Sequence, residues 1–125
     1  MDLHIETKST GATQIIEVKG EVDLYTSPKM REQIFTTIKR HPSKSLIVNL
    51  TNVTYVDSSG IATLVEGLQL ANEYQIRLKL VGLSRAILEV FQLVRLERVF
   101  EIYQTEEEAL KSEKTEDRRQ KLGCQ

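Results

Sequence analysis

The chain has 125 residues and a mass of 14.3 kDa, which fits one domain with a hydrophobic core that needs neither disulfides nor structural metal. Its 17 basic residues stand against 18 acidic ones, so the net charge is −1 and direct binding to nucleic acid is not expected. No signal peptide and no apolar run near the ~20 residues of a membrane helix is found, which predicts a cytoplasmic protein without membrane contact. The single cysteine, Cys124, excludes a disulfide within the chain and a thiolate metal cluster.

The first third of the chain predicts a β-hairpin followed by a helix. Ile5 and Ile16 each lie in a segment that alternates apolar and polar residues, and Gly11 between them favours a turn. Ser27 followed by Pro28 predicts a helix start, because serine caps free amides and proline fits the first helical position. The apolar stripe predicted for this helix consists of Met30, Ile34 and Ile38.

The rest of the chain alternates strands with helices. Residues 46–50 and 78–81 are short apolar runs of the kind found in covered strands, and residues 100–103 predict a last strand. Ser84 is expected to cap the helix after the second run, and residues 105–108, Thr-Glu-Glu-Glu, have the form of a capping box. The apolar positions predicted for the two intervening helices are Ile61, Leu64, Val65, Leu68, Ala71, Ile87, Phe91 and Val94.

This order of elements predicts an α/β fold. Strands that alternate with helices favour right-handed crossovers and a parallel sheet, so we expect a mixed, mostly parallel sheet with an antiparallel N-terminal hairpin strand, packed with about four helices. Residues 1–110 are expected to form this single domain. Residues 111–125 are charged and lack apolar periodicity, which predicts a flexible C-terminal tail.

Motifs of the common enzyme classes are missing from the sequence. A serine hydrolase needs a base beside its nucleophile, and His4 and His41 lie at positions typical of surface residues. The segment around Ser58 lacks the flanking glycines of a nucleophile elbow, and no glycine-rich loop precedes a Lys-Ser or Lys-Thr pair. Asp23 and Asp57 have the chemistry of an acid–base pair or of magnesium ligands, but carboxylates in loops are more often helix caps. We therefore expect no catalytic residue, no bound metal and no cofactor.

The segment Asp57-Ser58-Ser59-Gly60 stands where a covered strand gives way to an amphipathic helix. Its two hydroxyls are predicted to lie in an accessible turn whose backbone amides face outward at the positive end of the helix dipole, so a phosphate would be tolerated there. Taken alone, the segment favours a simpler interpretation. In that interpretation Asp57 or Ser58 is only a helix cap, and Gly60 is only a turn residue.

Three segments add a family resemblance to this pattern. Residues 20–23 read Gly-Glu-Val-Asp, residues 53–61 read Val-Thr-Tyr-Val-Asp-Ser-Ser-Gly-Ile, and residues 100–110 read Phe-Glu-Ile-Tyr-Gln-Thr-Glu-Glu-Glu-Ala-Leu. In this order and spacing they resemble the STAS domain family, which is shared by sulfate transporters and anti-sigma factor antagonists. The resemblance covers residues 3 to 110, and its most specific part is the Asp-Ser-Ser-Gly motif. It implies a mixed sheet packed with helices.

The same resemblance implies a partner-switching function. Ser58, with Ser59 as the alternative, would be phosphorylated by a partner that is both an anti-sigma factor and a GHKL-type serine kinase. Unmodified protein would bind this partner and free the sigma factor, and a PP2C-type phosphatase would reset the phosphorylated form. A scaffold subunit of a larger signalling or lipid-transport complex is the alternative function. The partner-binding residues implied by the resemblance are Asp23, Asp57, Ser58, Ser59 and Gly60.

Overall fold

A computed structural model of the chain describes residues 3–112, which form one sheet with helices on both faces. The strands are β1 (His4–Thr10), β2 (Thr13–Val22), β3 (Ser45–Val56), β4 (Arg77–Val81) and β5 (Glu101–Tyr103). The helices are α1 (Ser27–Arg40), α2 (Ser58–Glu73), α3 (Arg85–Leu93) and α4, which covers residues 106–112. A short 3-10 helix (Leu96–Arg98) precedes β5.

The strands follow the order β1-β2-β3-β4-β5 across the sheet. β1 is antiparallel to β2, and all other neighbouring pairs are parallel, so a helix connects each parallel strand to the next. The hairpin between β1 and β2 turns at Gly11, whose φ of 61° lies in the left-handed region that glycine adopts without strain. The predicted α/β domain with a mixed, mostly parallel sheet and four helices is confirmed.

Different helices cover the two faces of the sheet. α1, α2 and α3 lie on one face, where Met30, Leu64 and Phe91 pack against strand residues that include Ile16 and Leu80. α4 lies on the other face, in a smaller cluster. The buried members of that cluster are Ile15, Ile47, Val81 and Ala109. The chain therefore leaves β4 toward one face of the sheet and leaves β5 toward the other.

A buried lysine anchors α4 to the sheet. The ammonium group of Lys79 in β4 donates hydrogen bonds to the carbonyl oxygen of Ala109 at 2.9 Å and to Oγ of Ser112 at 3.1 Å. Buried ammonium groups need such acceptors, so these contacts fix the position of α4. The predicted flexible tail starts at residue 111, but residues 111 and 112 continue α4, and the rest of that segment lies outside the described residues.

Two details of the predicted helix boundaries are wrong. Ser27 does not cap α1: it is the first helical residue, and its own N–H donates to the carbonyl oxygen of Asp23 at 2.8 Å. Val94 does not belong to the buried face of α3, because the helix ends one residue earlier and the Val94 side chain is exposed. In contrast, the predicted cap of α3 is confirmed, since Oγ of Ser84 accepts a hydrogen bond from the N–H of Ile87 at 3.2 Å.

The predictions for α2 and α4 agree with the structure. On α2, Leu64 and Ala71 are buried, and the other predicted apolar positions pack against the same core while half-buried. At α4, Oγ1 of Thr105 accepts from the N–H of Glu108, and Oε1 of Glu108 accepts from the N–H of Gln104. The capping box thus forms, but the Glu108 side chain bonds to the N–H of Gln104 instead of the N–H of the cap residue Thr105. None of the helices described between residues 3 and 112 is both long and apolar enough to cross a membrane.

Candidate functional site

The predicted site residues come together where β2 and β3 end. Val22 and Val56 are paired residues of these parallel strands, and the N–H of Asp57 donates to the carbonyl oxygen of Val22 at 3.0 Å. Because parallel strands end at the same edge of a sheet, Asp23 and Asp57 leave the sheet side by side. Asp23, which is 34 positions away in the sequence, is thereby placed next to the Asp-Ser-Ser-Gly segment.

Asp57 is the N-cap of α2. Its backbone is extended, and its Oδ1 accepts hydrogen bonds from the N–H groups of Ser59 at 2.9 Å and Gly60 at 3.2 Å. The next N–H, that of Ile61, bonds to the carbonyl oxygen of Asp57. The prediction that the amides of this turn face outward is therefore wrong for these residues, because the aspartate already occupies the positions that an anion would use.

The two serines of the motif differ in their surroundings. Ser58 is exposed at the first position of α2, and its hydroxyl makes no hydrogen bond with any residue that the structure describes. The Ser59 hydroxyl is only partly exposed and donates to Oδ1 of Asp57 at 2.5 Å. Sequence reasoning alone does not separate the two hydroxyls. Their environments do, since the Ser58 side chain is exposed and the Ser59 side chain is half-buried and held against Asp57.

Asp23 organises the loop between β2 and α1. Its Oδ1 accepts from the N–H groups of Tyr25 at 2.9 Å and Thr26 at 3.0 Å, which forms an Asx turn ahead of α1. Thr26 bonds back to the same loop: its Oγ1 accepts from the N–H of Asp23 at 2.9 Å and donates to the carbonyl oxygen of Glu21 at 2.7 Å. Both aspartates of the site are thus turn and cap residues, as loop carboxylates often are. Asp23 is half-buried.

Gly60 is needed for close packing. It lies inside the first turn of α2 and is buried. A Cβ at this position would lie 2.7 Å from Cγ1 of Val22 and 2.8 Å from Cγ1 of Val56, which are the last residues of the two strands. Gly60 therefore lets the start of α2 contact both strand ends, and its interpretation as a turn residue is wrong.

Hydrogen bonds stabilise the ionised form of Asp57. The hydroxyl of Ser59 and the N–H groups of Gly60, Ser59 and Leu24 hold the pKa of the Asp57 carboxyl below its usual value, against an opposing effect of burial. The N–H of Leu24 belongs to the loop after β2, so the charge of Asp57 also links that loop to the start of α2. Ionised Asp57 consequently stabilises the folded state.

We expect this contribution to depend on pH. Because the pKa of Asp57 is lower in the folded chain, its stabilisation is complete above the unfolded pKa of about 3.9 and is lost as the pH falls through the folded value. The free energy of unfolding of wild type should exceed that of Asp57→Asn by a constant amount above about pH 5 and by less below about pH 4. Urea unfolding followed by circular dichroism measures the difference. A difference that stayed constant down to about pH 2 would contradict the role of the ionised cap.

Three exposed apolar side chains lie within two residues of the aspartates along the chain, and the sequence analysis did not assign them to the site. Leu24 is 66% exposed and Tyr25 is 87% exposed in the loop after Asp23, while Tyr55 near the end of β3 is 51% exposed. Large exposed apolar side chains in one area are typical of protein interaction surfaces. The sequence contained one signal for such a surface. Leu24 and Tyr25 directly follow Asp23 in a predicted loop, where polar residues are usual.

The site has the character of a binding surface. Within residues 3–112, no group of three or more His, Cys, Asp or Glu side chains is arranged to hold a metal ion. His4 lies exposed on the edge strand β1, and His41 lies exposed at the end of α1, so neither follows the strand ends that form the site. The exposed Ser58 hydroxyl follows the capping Asp57, and exposed apolar side chains precede Asp57 and follow Asp23.

Comparisons with known proteins agree with this description. The family model of the STAS domain matches residues 4–109. An anti-sigma-B factor antagonist from Staphylococcus aureus (strain NCTC 8325 / PS 47) is 31% identical over 102 residues, which make up 82% of this chain and 94% of that protein. Its counterpart from Staphylococcus epidermidis is 30% identical over the same length.

Solved structures show the same fold. The anti-sigma factor antagonist SpoIIAA in its unphosphorylated form aligns with a TM-score of 0.76 and 25% identity, covering 90% of this chain and 97% of that one. The Bacillus cell fate determinant SpoIIAA in its phosphorylated form aligns with a TM-score of 0.69 and 25% identity, covering 87% and 98%.

Proposed function

The chain belongs to the STAS domain family. We propose that it is an anti-sigma factor antagonist, which binds an anti-sigma factor and so frees a sigma factor. We propose further that this partner is a GHKL-type serine kinase, that it phosphorylates Ser58, and that a PP2C-type phosphatase restores the binding form. In this proposal the protein acts in the cytoplasm and catalyses no reaction itself.

The observation that carries the switch is the difference between the two hydroxyls. A kinase must bring a phosphate donor within reach of a free hydroxyl oxygen, and the exposed Ser58 side chain meets this requirement. The Ser59 side chain is less accessible, because it is half-buried and lies against Asp57 with a hydrogen bond of 2.5 Å. This supports Ser58 as the modified residue and leaves Ser59 to position the cap.

Electrostatics explain why a phosphate at Ser58 would end binding. It would add about −1.5 to −2 charges beside the Asp57 carboxylate. The N–H groups of Ser59 and Gly60 already bond to that carboxylate, so they are not available to neutralise the new charge. A partner surface placed over the modified loop would have to desolvate the phosphate or face it with its own acidic groups, which costs roughly 2–5 kcal/mol.

Mapping the modified residue tests the proposal. Wild type, Ser58→Ala and Ser59→Ala are expressed in the organism's own cells, and phosphopeptides are identified by mass spectrometry. We expect phosphate on Ser58 in wild type and in Ser59→Ala, and none in Ser58→Ala. Phosphorylation of Ser58→Ala at Ser59 would contradict the assignment. The same strains test the partner: Ser58→Ala should retain an anti-sigma factor constitutively on affinity capture, whereas recovery of a large complex would favour the scaffold function.

A substitution at Asp23 tests whether it belongs to the partner-binding surface. We expect Asp23→Asn to lower partner affinity about tenfold, because it removes one negative charge from the proposed surface, while the asparagine oxygen keeps the Asx turn. Isothermal titration measures the affinity, and thermal unfolding should show a Tm close to that of wild type. Unchanged affinity in a folded variant would remove Asp23 from the surface.

A further inference from the structure

Within residues 3–112, β5 is an edge strand with no neighbour on its outer side, and a groove of about 750 Å³ lies beside it. Leu88 and Gln92 of α3 form one side of the groove, and Glu108 of α4 forms the other. Phe100 and Ile102 line its floor. The groove exists because the chain leaves β4 and β5 toward opposite faces of the sheet, which keeps α3 and α4 apart at this edge.

The backbone of β5 presents unpaired groups to this groove. Tyr103 pairs with Val81, and its carbonyl oxygen accepts from the N–H of Gly82 at 3.0 Å, so Tyr103 directs its backbone groups toward β4. In a parallel ladder a residue directs both its N–H and its C=O to the same neighbour, and the next residue directs them to the opposite side. The N–H and C=O of Ile102 therefore face the groove, where another strand could pair with them.

Among the residues that the structure describes, the charged side chains that line the groove are acidic. They are Glu97, Glu101 and Glu108. Glu101 is paired with Arg77, whereas Oε1 of Glu97 is buried without a hydrogen-bond partner in the part of the chain that the structure describes. The groove thus retains negative charge that the described part of the chain does not neutralise, which favours a cationic occupant.

We propose that this β5 groove binds an extended, lysine- or arginine-containing segment of a partner protein as a sixth strand of the sheet. The main chain of the segment pairs with Ile102, its apolar side chains contact Phe100 and Leu88, and its basic side chains face Glu97 and Glu108. Asp57 and Ser58 follow β3, two strands away, so this interaction is separate from the proposed phosphorylation switch and does not depend on it.

Synthetic peptides test the mode of binding on the full chain. A fluorescent peptide of about six residues that alternates valine and lysine is titrated by fluorescence anisotropy. One control peptide has glutamate in place of lysine, and a second control peptide has methylated backbone nitrogens on one edge. We expect each control to bind about tenfold more weakly. Equal affinity of the methylated peptide would overturn strand pairing, and equal affinity of the acidic peptide would overturn the charge requirement.

Variants of the chain locate the binding site. The double change Glu97→Gln and Glu108→Gln preserves size and leaves an oxygen to accept from Gln104, so the fold should persist while the valine–lysine peptide binds about tenfold more weakly. Glu107→Gln, an exposed neighbour that does not line the groove, serves as the matched control and should bind like wild type. In amide NMR spectra the peptide should shift the Ile102 signal. An unshifted Ile102 signal at saturation, or a double variant with wild-type affinity, would overturn the proposal.

Discussion

Phosphorylation of Ser58 is expected to lower partner affinity by a factor on the order of a hundred while the fold persists. The desolvation and repulsion estimated for the modified loop amount to roughly 2–5 kcal/mol, and about 1.4 kcal/mol corresponds to a factor of ten. The free energy of unfolding should change by about 1 kcal/mol or less. The positive end of the α2 dipole favours the phosphate, while the neighbouring Asp57 carboxylate repels it, and these two effects offset each other.

Calorimetric unfolding and a binding titration on one phosphorylated sample measure both quantities. Ser58→Asp is an informative intermediate, because it adds a single negative charge and fewer acceptor oxygens than phosphate, so its affinity should lie between those of the unmodified and phosphorylated forms. Ser58→Ala, which removes only an exposed hydroxyl, should bind like unmodified protein. Unfolding of the phosphorylated domain, or unchanged affinity of a fully modified sample, would contradict a switch that acts at the surface.

Gly60→Ala is expected to destabilise the domain by about 1–3 kcal/mol. The new methyl group would lie within 2.8 Å of both valine side chains at the ends of β2 and β3. Val22 is buried, and valine is stiff about χ1, so neither side chain can turn away without disturbing the strand ends. Because the same contact positions the start of α2, the variant should also displace the Asp57 cap and weaken partner binding.

Gly67→Ala is the matched control, since both glycines lie within α2 and both substitutions gain the same helix propensity of about 1 kcal/mol. At Gly67 the new methyl group would meet a single methyl of Ile34 at 3.0 Å, a milder approach than the two contacts of 2.7 and 2.8 Å at Gly60, so a small shift relieves it. We expect Gly67→Ala to unfold within about 1 kcal/mol of wild type in urea. If the two variants were equally stable, close packing would not be the reason for glycine at position 60.

Most of the fold could be predicted from periodicity and capping. The apolar stripe of α1 and the covered runs of β3 and β4 are local patterns, and the alternation of strands with helices limits how they can be connected. The boundaries were less accurate. The cap of α1 is predicted at Ser27, because a serine before a proline is a local signal. In the structure Asp23 and Thr26 organise the turn ahead of the helix by hydrogen bonds in both directions, which no single residue type indicates.

Residue types and their spacing along the chain are enough to predict the fold class, the family resemblance and the importance of the Asp-Ser-Ser-Gly segment. The tertiary structure was needed to tell the two hydroxyls apart, since Ser59 donates a hydrogen bond to Asp57 and Ser58 is exposed. It also decided that Asp23 lies beside Asp57 and that the end of β5 faces an acidic groove. Parallel pairing joins strands that are many residues apart in the chain. It determines which strand ends meet and on which face each segment leaves the sheet, and no local pattern encodes it.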